Sequence, residues 1–263
     1  METLSLSCSV LTALADGIDQ AKFRVPRVLA KTGEMDKLIR PALHVHCVWA
    51  FGFAYDLSVA DADVPKSTCT SFEALARMLN TVYDRCGGKL PLGFHLQQDN
   101  TWQYCRNSKV IKFATALVAK GIFRWVSLGY LVVGHTHDLV DQSFGQLTVK
   151  LSFEEFDDAN ECVAKLDRIV NELNIDASSR GVARAYKLDQ VPDWEEWWDP
   201  AGVKFSKMTG HMAPHLMRIC LREDLGLRGL PCDVNACVVE VHSAEEVARK
   251  IVLISVRVWG WWW

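Results

Sequence analysis

The sequence lacks the features that identify several common classes of protein. Its nine cysteines are an odd number and contain no Cys-x-x-Cys pair, which argues against a disulfide framework and a zinc ribbon. It has no glycine-rich phosphate-binding loop and no Gly-x-Ser-x-Gly nucleophile motif. Its apolar runs, such as "VWAFGFAY" and "GYLVVG", fall far short of the roughly 20 residues of a membrane-spanning helix. We therefore expect reduced cysteines and no membrane partner.

A large excess of positive charge is also absent. The formal net charge is −3, with a positive balance over the first 150 residues and a negative balance over the rest. Neutralisation of phosphates supplies most of the affinity of proteins for DNA, so this balance argues against a self-sufficient DNA-binding protein. The N-terminus has neither the basic segment nor the long apolar run of a secretory signal, and we expect an intracellular protein.

The chain does contain enough apolar residues for a full core, since 49% of its 263 residues are hydrophobic. Apolar periodicity and turn residues predict three strands, then a helix, a strand, a helix, a strand and a helix. The predicted strands cover residues 9–18, 43–52, 53–60, 90–99 and 124–133, and the predicted helices cover 67–88, 108–123 and 138–151. The predicted order is βββαβαβα.

This order is that of the ribonuclease H-like fold, whose mixed five-stranded sheet carries acidic residues at set places. The places are the first strand, the end of the fourth strand, and the helix after the fifth. The chain has acidic residues at all three: Asp16 and Asp19, then Asp99, then Asp138 and Asp141. Strands and helices often end in Asp, so one such residue is weak evidence. The presence of acidic residues at all three places supports the prediction of this fold.

Three segments also resemble one family. "DGIDQAKFRVPR", "HLQQDNTWQYCRNSKVIKFATALVAKGIFRWVSL" and "VGHTHDLVDQSFGQL" are similar to the integrase-like core of uncharacterised, transposon-associated eukaryotic proteins. That family has an Asp-Asn pair, here Asp99 and Asn100, and a later Gly-His-Thr-His-x-x-x-Asp-Gln motif. The resemblance implies a ribonuclease H-like core over 1–155 and a DNA partner. It also implies that DNA recognition requires an upstream region that this chain lacks, and a nuclear location.

A site of this kind requires carboxylates that converge from separate elements. Two Mg²⁺ or Mn²⁺ ions roughly 4 Å apart would activate a water or a 3′-hydroxyl and stabilise the leaving oxygen. We assign Asp19, Asp99 and Asp141 as ligands and catalytic residues, with Asp16 as the competitor of Asp19. If the first strand runs through both residues, only one can point into the site, because a three-residue separation places them on opposite faces of a strand. The alternative interpretation is that these acids only cap strands and helices.

His135 and His137 project to the same side of an extended segment just before the last helix. Either could supplement the acidic cluster as a ligand or proton donor, since imidazole suits Mn²⁺ or Zn²⁺. Alternatively, both hydrogen-bond the loop while Asp138 caps the helix. "VVGHTHD" also matches the Gly-His-x-His of calcineurin-like metallophosphoesterases, but no Asp in the chain is followed two residues later by His, as that fold requires.

The sequence therefore predicts a ribonuclease H-like domain over 1–155 and an acidic, Trp-rich, helical or irregular extension over 156–263. In the extension, Trp194, Trp197 and Trp198 have the spacing of a core-facing helix stripe. The expected function is metal-dependent cleavage or strand transfer on DNA by a transposase- or integrase-derived domain. The alternatives are a non-catalytic remnant that acts as an interaction module and, more distantly, a metallophosphoesterase.

Overall fold

The computed structural model of the protein shows a mixed α/β structure. It describes residues 10–18, 20–30, 33–34, 37–99, 107–130, 139–175, 181–198, 216–221, 234–241 and 249–256. The chain divides into two compact units. We call Leu14–Arg85 with Thr136–Pro192 the hairpin unit, and Met1–Ala13 with Cys86–His135 and Asp193–Trp263 the β4–β5 unit.

The described elements follow one another in the predicted order up to the third helix. They are β1 (Val10–Gly17), β2 (His44–Ala50), β3 (Ala54–Ala60), α1 (Thr68–Arg85), β4 (Gly93–Gln98), α2 (Ser108–Ala119), β5 (Trp125–Tyr130), α3 (Leu139–Leu151), α4 (Ala159–Glu172), β6 (Val182–Leu188), α5 (Trp194–Trp198), β7 (Leu216–Leu221), β8 (Val234–Val241) and β9 (Arg249–Val256). The prediction of βββαβαβα is confirmed for the first eight strands and α-helices, with ends shifted by a few residues, and a short 3-10 helix (Gln20–Phe23) lies between β1 and β2. Strand β1 is divided between the two units.

The hairpin unit is built on the antiparallel pair of β2 and β3. The pair turns at Gly52, whose φ of +76° suits a residue without a Cβ. The strand order is β6-β3-β2-β1, and β6 runs parallel to β3. Helix α1 packs against β2 and β3, and α4 packs against β3, β6 and α3. All residues of β3 are buried, as expected for a strand with helices on both faces.

The β4–β5 unit has parallel strands β4 and β5, followed by β7, β9 and β8 in antiparallel pairs. Helix α2 contacts β5 and β7. The rings of Trp194 and Trp197 in α5 lie 5.6 and 6.1 Å from the ring of Phe113 in α2. These two tryptophans therefore pack against a helix, as their spacing predicts.

The prediction of a five-stranded sheet followed by a helical extension is wrong. Strands β6, β7, β8 and β9 all lie after residue 155 and pair with earlier strands or with each other. The prediction relied on the many Trp and acidic residues of the extension. It overlooked segments such as "RICL" and "KIVLISV", whose β-branched residues favour strands. None of the helices in the described part of the chain has the length and hydropathy of a membrane-spanning segment.

Helix α2 begins at a capping residue that the sequence interpretation did not assign. The side chain of Asn107 accepts hydrogen bonds from the backbone N–H groups of Lys109 at 2.9 Å and Val110 at 3.1 Å. The helix ends before Gly121, whose φ is +70°. Asn is among the best residues at this position, because its oxygen satisfies N–H groups that have no partner within the helix.

We expect Asn107→Ala to lower the free energy of unfolding by about 1 kcal/mol, because the two N–H groups lose their acceptor. Asn107→Asp keeps an acceptor and should leave stability nearly unchanged. Urea denaturation of the two variants beside the wild type measures both effects. Equal stability of Asn107→Ala and wild type would show that the cap contributes nothing.

Candidate functional site

The first-strand acid that the structure describes is Asp16, which lies one residue before the end of β1. It is half-buried, and its Oδ1 accepts the backbone N–H of Gly17 at 2.7 Å. Leu14 and Ile18, two residues to either side, are 4% and 5% exposed. Alternation along β1 places Asp16 on the same face as Leu14, and Leu14 and Ile18 both belong to the core of the hairpin unit.

The helix acid Asp141 is half-buried in the first turn of α3. A carboxylate is favourable there, because the partial positive charge of the helix dipole lies at the N-terminus. Val140 beside it and Phe144 one turn later belong to the same buried cluster as Leu14 and Ile18. The end of β1 and the start of α3 thus contribute to one core.

A series of buried hydrogen bonds links β3 of the hairpin to the start of α3. The hydroxyl of Tyr55 in β3 lies 2.8 Å from Oγ of Ser143 in α3. Ser143 donates its own proton to the carbonyl of Val140 at 2.7 Å, so Tyr55 is the donor in the first bond. These hydrogen bonds therefore fix the first turns of α3, and with them the backbone of Asp141, against the hairpin.

Burial dominates the electrostatics of Tyr55 and of Cys47 in β2. Burial raises the pKa of Cys47, and the negative charges of Asp16 and Asp56 raise it further. Burial also raises the pKa of Tyr55. Cys47 and Tyr55 consequently stay protonated at neutral pH, so Cys47 is not an activated nucleophile.

The third predicted acid, Asp99, belongs to the β4–β5 unit and directly follows the last residue of β4. It is half-buried. The alternative that Asp99 only caps the following helix is wrong, because Asn107 occupies the cap of α2. Asp99 instead lies where β4 ends beside its parallel neighbour β5. The ends of parallel strands are a common place for ligands.

Gln98, the residue before Asp99, is 3% exposed, and its Oε1 has no hydrogen-bond partner among the described residues. Its register partner is Tyr130, the last residue of β5. Nearer the middle of the strands, His95 Nδ1 lies 2.7 Å from Ser127 Oγ. Burial and the charge of Arg218 lower the pKa of His95. The sequence interpretation did not single out this pair, since its members are 32 residues apart.

Several predicted site residues lie outside the described part of the chain. They are Asp19, Asn100, His135, His137 and Asp138. Within the described residues, no three His, Cys, Asp or Glu side chains form a group that could hold a metal ion. The choice between Asp16 and Asp19, and the histidine ligands, therefore stay predictions. Carboxylate oxygens such as those of Asp16 and Asp141 have the chemistry that Mg²⁺ and Mn²⁺ prefer.

One charged group that the sequence interpretation passed over is fully buried. Asp56 in β3 is 1% exposed and binds Arg184 in β6 through both carboxylate oxygens, each at 2.9 Å. The sequence does show an Asp inside the apolar segment "FAYDLSVA". In a strand that is buried on both faces, such a charge requires a partner of opposite charge. This pair lies on α1's side of the sheet, because Arg184 also hydrogen-bonds Thr81 of α1.

Comparisons with known proteins identify one family. Residues 45–227 match the family described as "Domain of unknown function (DUF7869)". The match covers more than half of the 263 residues and includes both the Asp99-Asn100 pair and the Gly-His-Thr-His motif. No curated protein and no solved structure matches the chain. The chain therefore belongs to the DUF7869 family of domains of unknown function.

Proposed function

We propose that the chain is a transposase- or integrase-derived domain with a ribonuclease H-like core that cleaves or transfers phosphodiester bonds of DNA with divalent metal ions. The observation that carries the proposal is the placement of three acids. Asp16 lies at the end of β1, Asp99 directly after β4, and Asp141 in the first turn of α3. These are the positions that the order βββαβαβα assigns to metal ligands in a ribonuclease H-like fold.

The pairing of the strands within each unit supports the same proposal. In the hairpin unit, β3, β2 and β1 are neighbours in that order, and β2 and β3 are antiparallel. In the β4–β5 unit, the two strands are parallel and are joined through helix α2. A ribonuclease H-like sheet is mixed, and the antiparallel hairpin and the parallel pair supply both kinds of pairing. The strands β6 to β9 are additions to that plan.

In the proposed site, Asp16 or Asp19, with Asp99 and Asp141, would hold Mg²⁺ or Mn²⁺. When bound, the ions supply activation of the attacking oxygen and stabilisation of the leaving oxygen. The residues of the chain orient the ligands: the bonds from Tyr55 to Ser143 and from Ser143 to Val140 fix the turn that carries Asp141. His135 and His137 are proposed as supplementary ligands or proton donors.

A cleavage assay tests this function. The full chain is incubated with supercoiled plasmid and with a labelled duplex oligonucleotide, in Mn²⁺, in Mg²⁺ and in EDTA. We expect cleavage in Mn²⁺ or Mg²⁺ only. Asp141→Asn should lose about a hundredfold or more in rate, about 2.7 kcal/mol of transition-state stabilisation, because the ions lose a charged ligand. Asp16→Asn and Asp19→Asn are assayed side by side, and only the first-strand ligand should show the same loss.

The matched control is Asp84→Asn, which removes one exposed carboxylate of the hairpin unit from α1. It should cleave as fast as the wild type. A wild type that binds neither ion and cuts neither substrate would contradict the proposal and favour the non-catalytic interaction module. Cleavage that persists in Asp141→Asn would show that the activity belongs to a contaminant or to another site.

A further inference from the structure

The hairpin unit contains a small basic pocket that the proposed cleavage site does not use. Four of the side chains that line it are cationic: Lys22, Arg24, Arg27 and Arg40. Ser152, just after the last residue of α3, lines it as well. Its volume is about 210 Å³. We call this the basic pocket.

The cations of the basic pocket have no acidic counterions within the described part of the chain. None of the four forms an ion pair with a described Asp or Glu, although eight such pairs are formed by other cations of the described residues. Like charges gathered in a concave surface raise the local concentration of anions. The pocket therefore has the charge of an anion-binding site.

The wall of the pocket is held by backbone and ring contacts. Arg27 donates from Nη1 to the carbonyl of Lys22 at 2.6 Å and from Nε to the carbonyl of Glu154 at 3.2 Å. Its guanidinium also lies over the ring of Phe156, at 5.8 Å from the centroid. Arg40 donates to the carbonyl of Pro26 at 3.2 Å. Arg27 and Arg40 are thus oriented before any ligand binds, which lowers the entropy cost of binding.

The edge of the pocket is mixed. Leu29 is 54% exposed, and its backbone N–H donates to the carboxylate of Glu155 at 2.8 Å. Lys22 Nζ lies 3.4 Å from Thr148 Oγ1 in α3. The lining itself has four cationic side chains and no acidic one, so its charge is positive. Arginines that present fixed N–H groups suit the tetrahedral oxygens of a phosphate.

We propose that the basic pocket binds a backbone phosphate of the nucleic-acid strand on which the domain acts, away from the bond that is cut. The choice of a nucleic acid rests on the proposed function. Helix α3 connects the two places, because Asp141 lies in its first turn and Ser152 directly follows its end. At 1.5 Å per residue, they are separated by about 16 Å along the helix axis. At 3.4 Å per nucleotide of one strand, the pocket holds a phosphate about five nucleotides from the cleaved bond.

The test measures binding without cleavage, so that its failure is distinct from a failure of the nuclease proposal. Fluorescence anisotropy of a labelled 20-nucleotide single strand is followed in EDTA across a salt titration, for the full-length wild type and Arg24→Ala/Arg40→Ala. With a net charge of −3, the wild type should bind measurably at low salt and weakly at physiological salt. Loss of two phosphate contacts should lower the slope of log K against log salt by about 1.4.

The matched control is Lys66→Ala/Arg85→Ala, which removes two exposed cations of the same unit outside the pocket and should keep the wild-type slope. If both double variants lose the same affinity, or if the wild type does not bind at low salt, the proposal is wrong. It is also wrong if inorganic phosphate stabilises the wild type while the strand binds the pocket variant equally well. Arg24→Glu, at an exposed position, repeats the test if Arg40→Ala unfolds the protein.

Discussion

Arg184→Leu is expected to destabilise the protein by about 3 kcal/mol, the lower end of the range for breaking a buried ion pair. Arg184 donates from Nε and Nη2 to the two carboxylate oxygens of Asp56, whose side chain is fully buried. Without the guanidinium, that carboxylate keeps its desolvation cost and loses its counterion. We take the lower end because the Arg184 side chain is 39% exposed, so that solvent screens part of the attraction.

The two partners should not be equivalent. In Asp56→Asn, the amide oxygen still accepts from Arg184, and the half-exposed guanidinium can turn towards water. We therefore expect Asp56→Asn to cost about 1 kcal/mol, the net worth of a typical hydrogen bond. The double variant Asp56→Asn/Arg184→Leu should be more stable than Arg184→Leu alone, because it no longer buries a charge. Urea denaturation of the three proteins at pH 7 gives the comparison, and equal costs for the two single changes would contradict it.

The pH dependence of Arg184→Leu supplies an independent check. Burial raises the pKa of Asp56 even when Arg184 opposes the shift, and loss of Arg184 should raise this pKa further. A carboxyl with a raised pKa in the folded state holds its proton more tightly than it does in the unfolded chain. Stability is then lost as the pH rises through the interval between the unfolded and folded pKa values. Arg184→Leu should therefore recover part of its lost stability on acidification from pH 7 towards pH 5.

Local sequence patterns were sufficient for β1 to β5 and α1 to α3, because their signals lie in contiguous residues. The apolar alternation of β2, the turn at Gly52 and the Gly87-Gly88 stop after α1 are all read within one window. The parallel pairing of β3 with β6 cannot be predicted in this way, because the two strands are far apart in the sequence. Its partners Asp56 and Arg184 are 128 residues apart, and neither position reveals the other.

For the candidate site, the sequence predicted where acids lie along the elements but not what surrounds them. Asp16, Asp99 and Asp141 occupy the predicted places. The bond between Tyr55 and Ser143, and the cap at Asn107, depend on side-chain directions that spacing does not determine. The basic pocket could not be predicted from the sequence either, since its lining residues Lys22 and Arg40 are more than 100 residues from Ser152.

Divalent ions should raise the melting temperature of the wild type if the proposed site exists. An ion that binds only the folded protein stabilises it by about 2.7 kcal/mol at a hundred times its Kd. For a chain of this size, that corresponds to a rise of about 5–10 °C. The experiment is a thermal scan of the EDTA-treated protein with and without Mn²⁺ or Mg²⁺. Zn²⁺ is added as a separate arm, because it would favour histidine ligands.

The substitutions Asp141→Asn and Asp99→Asn assign this response to residues. Each keeps the shape of the side chain and removes the charge that a hard ion requires, so each should abolish the rise if the residue is a ligand. Asp84→Asn should respond as the wild type does. Since Asn107 caps α2, a lost response in Asp99→Asn cannot be attributed to an altered helix cap. A response that survives in Asp99→Asn but not in Asp141→Asn would remove Asp99 from the site and leave His135, His137 and Asp141 as its candidates.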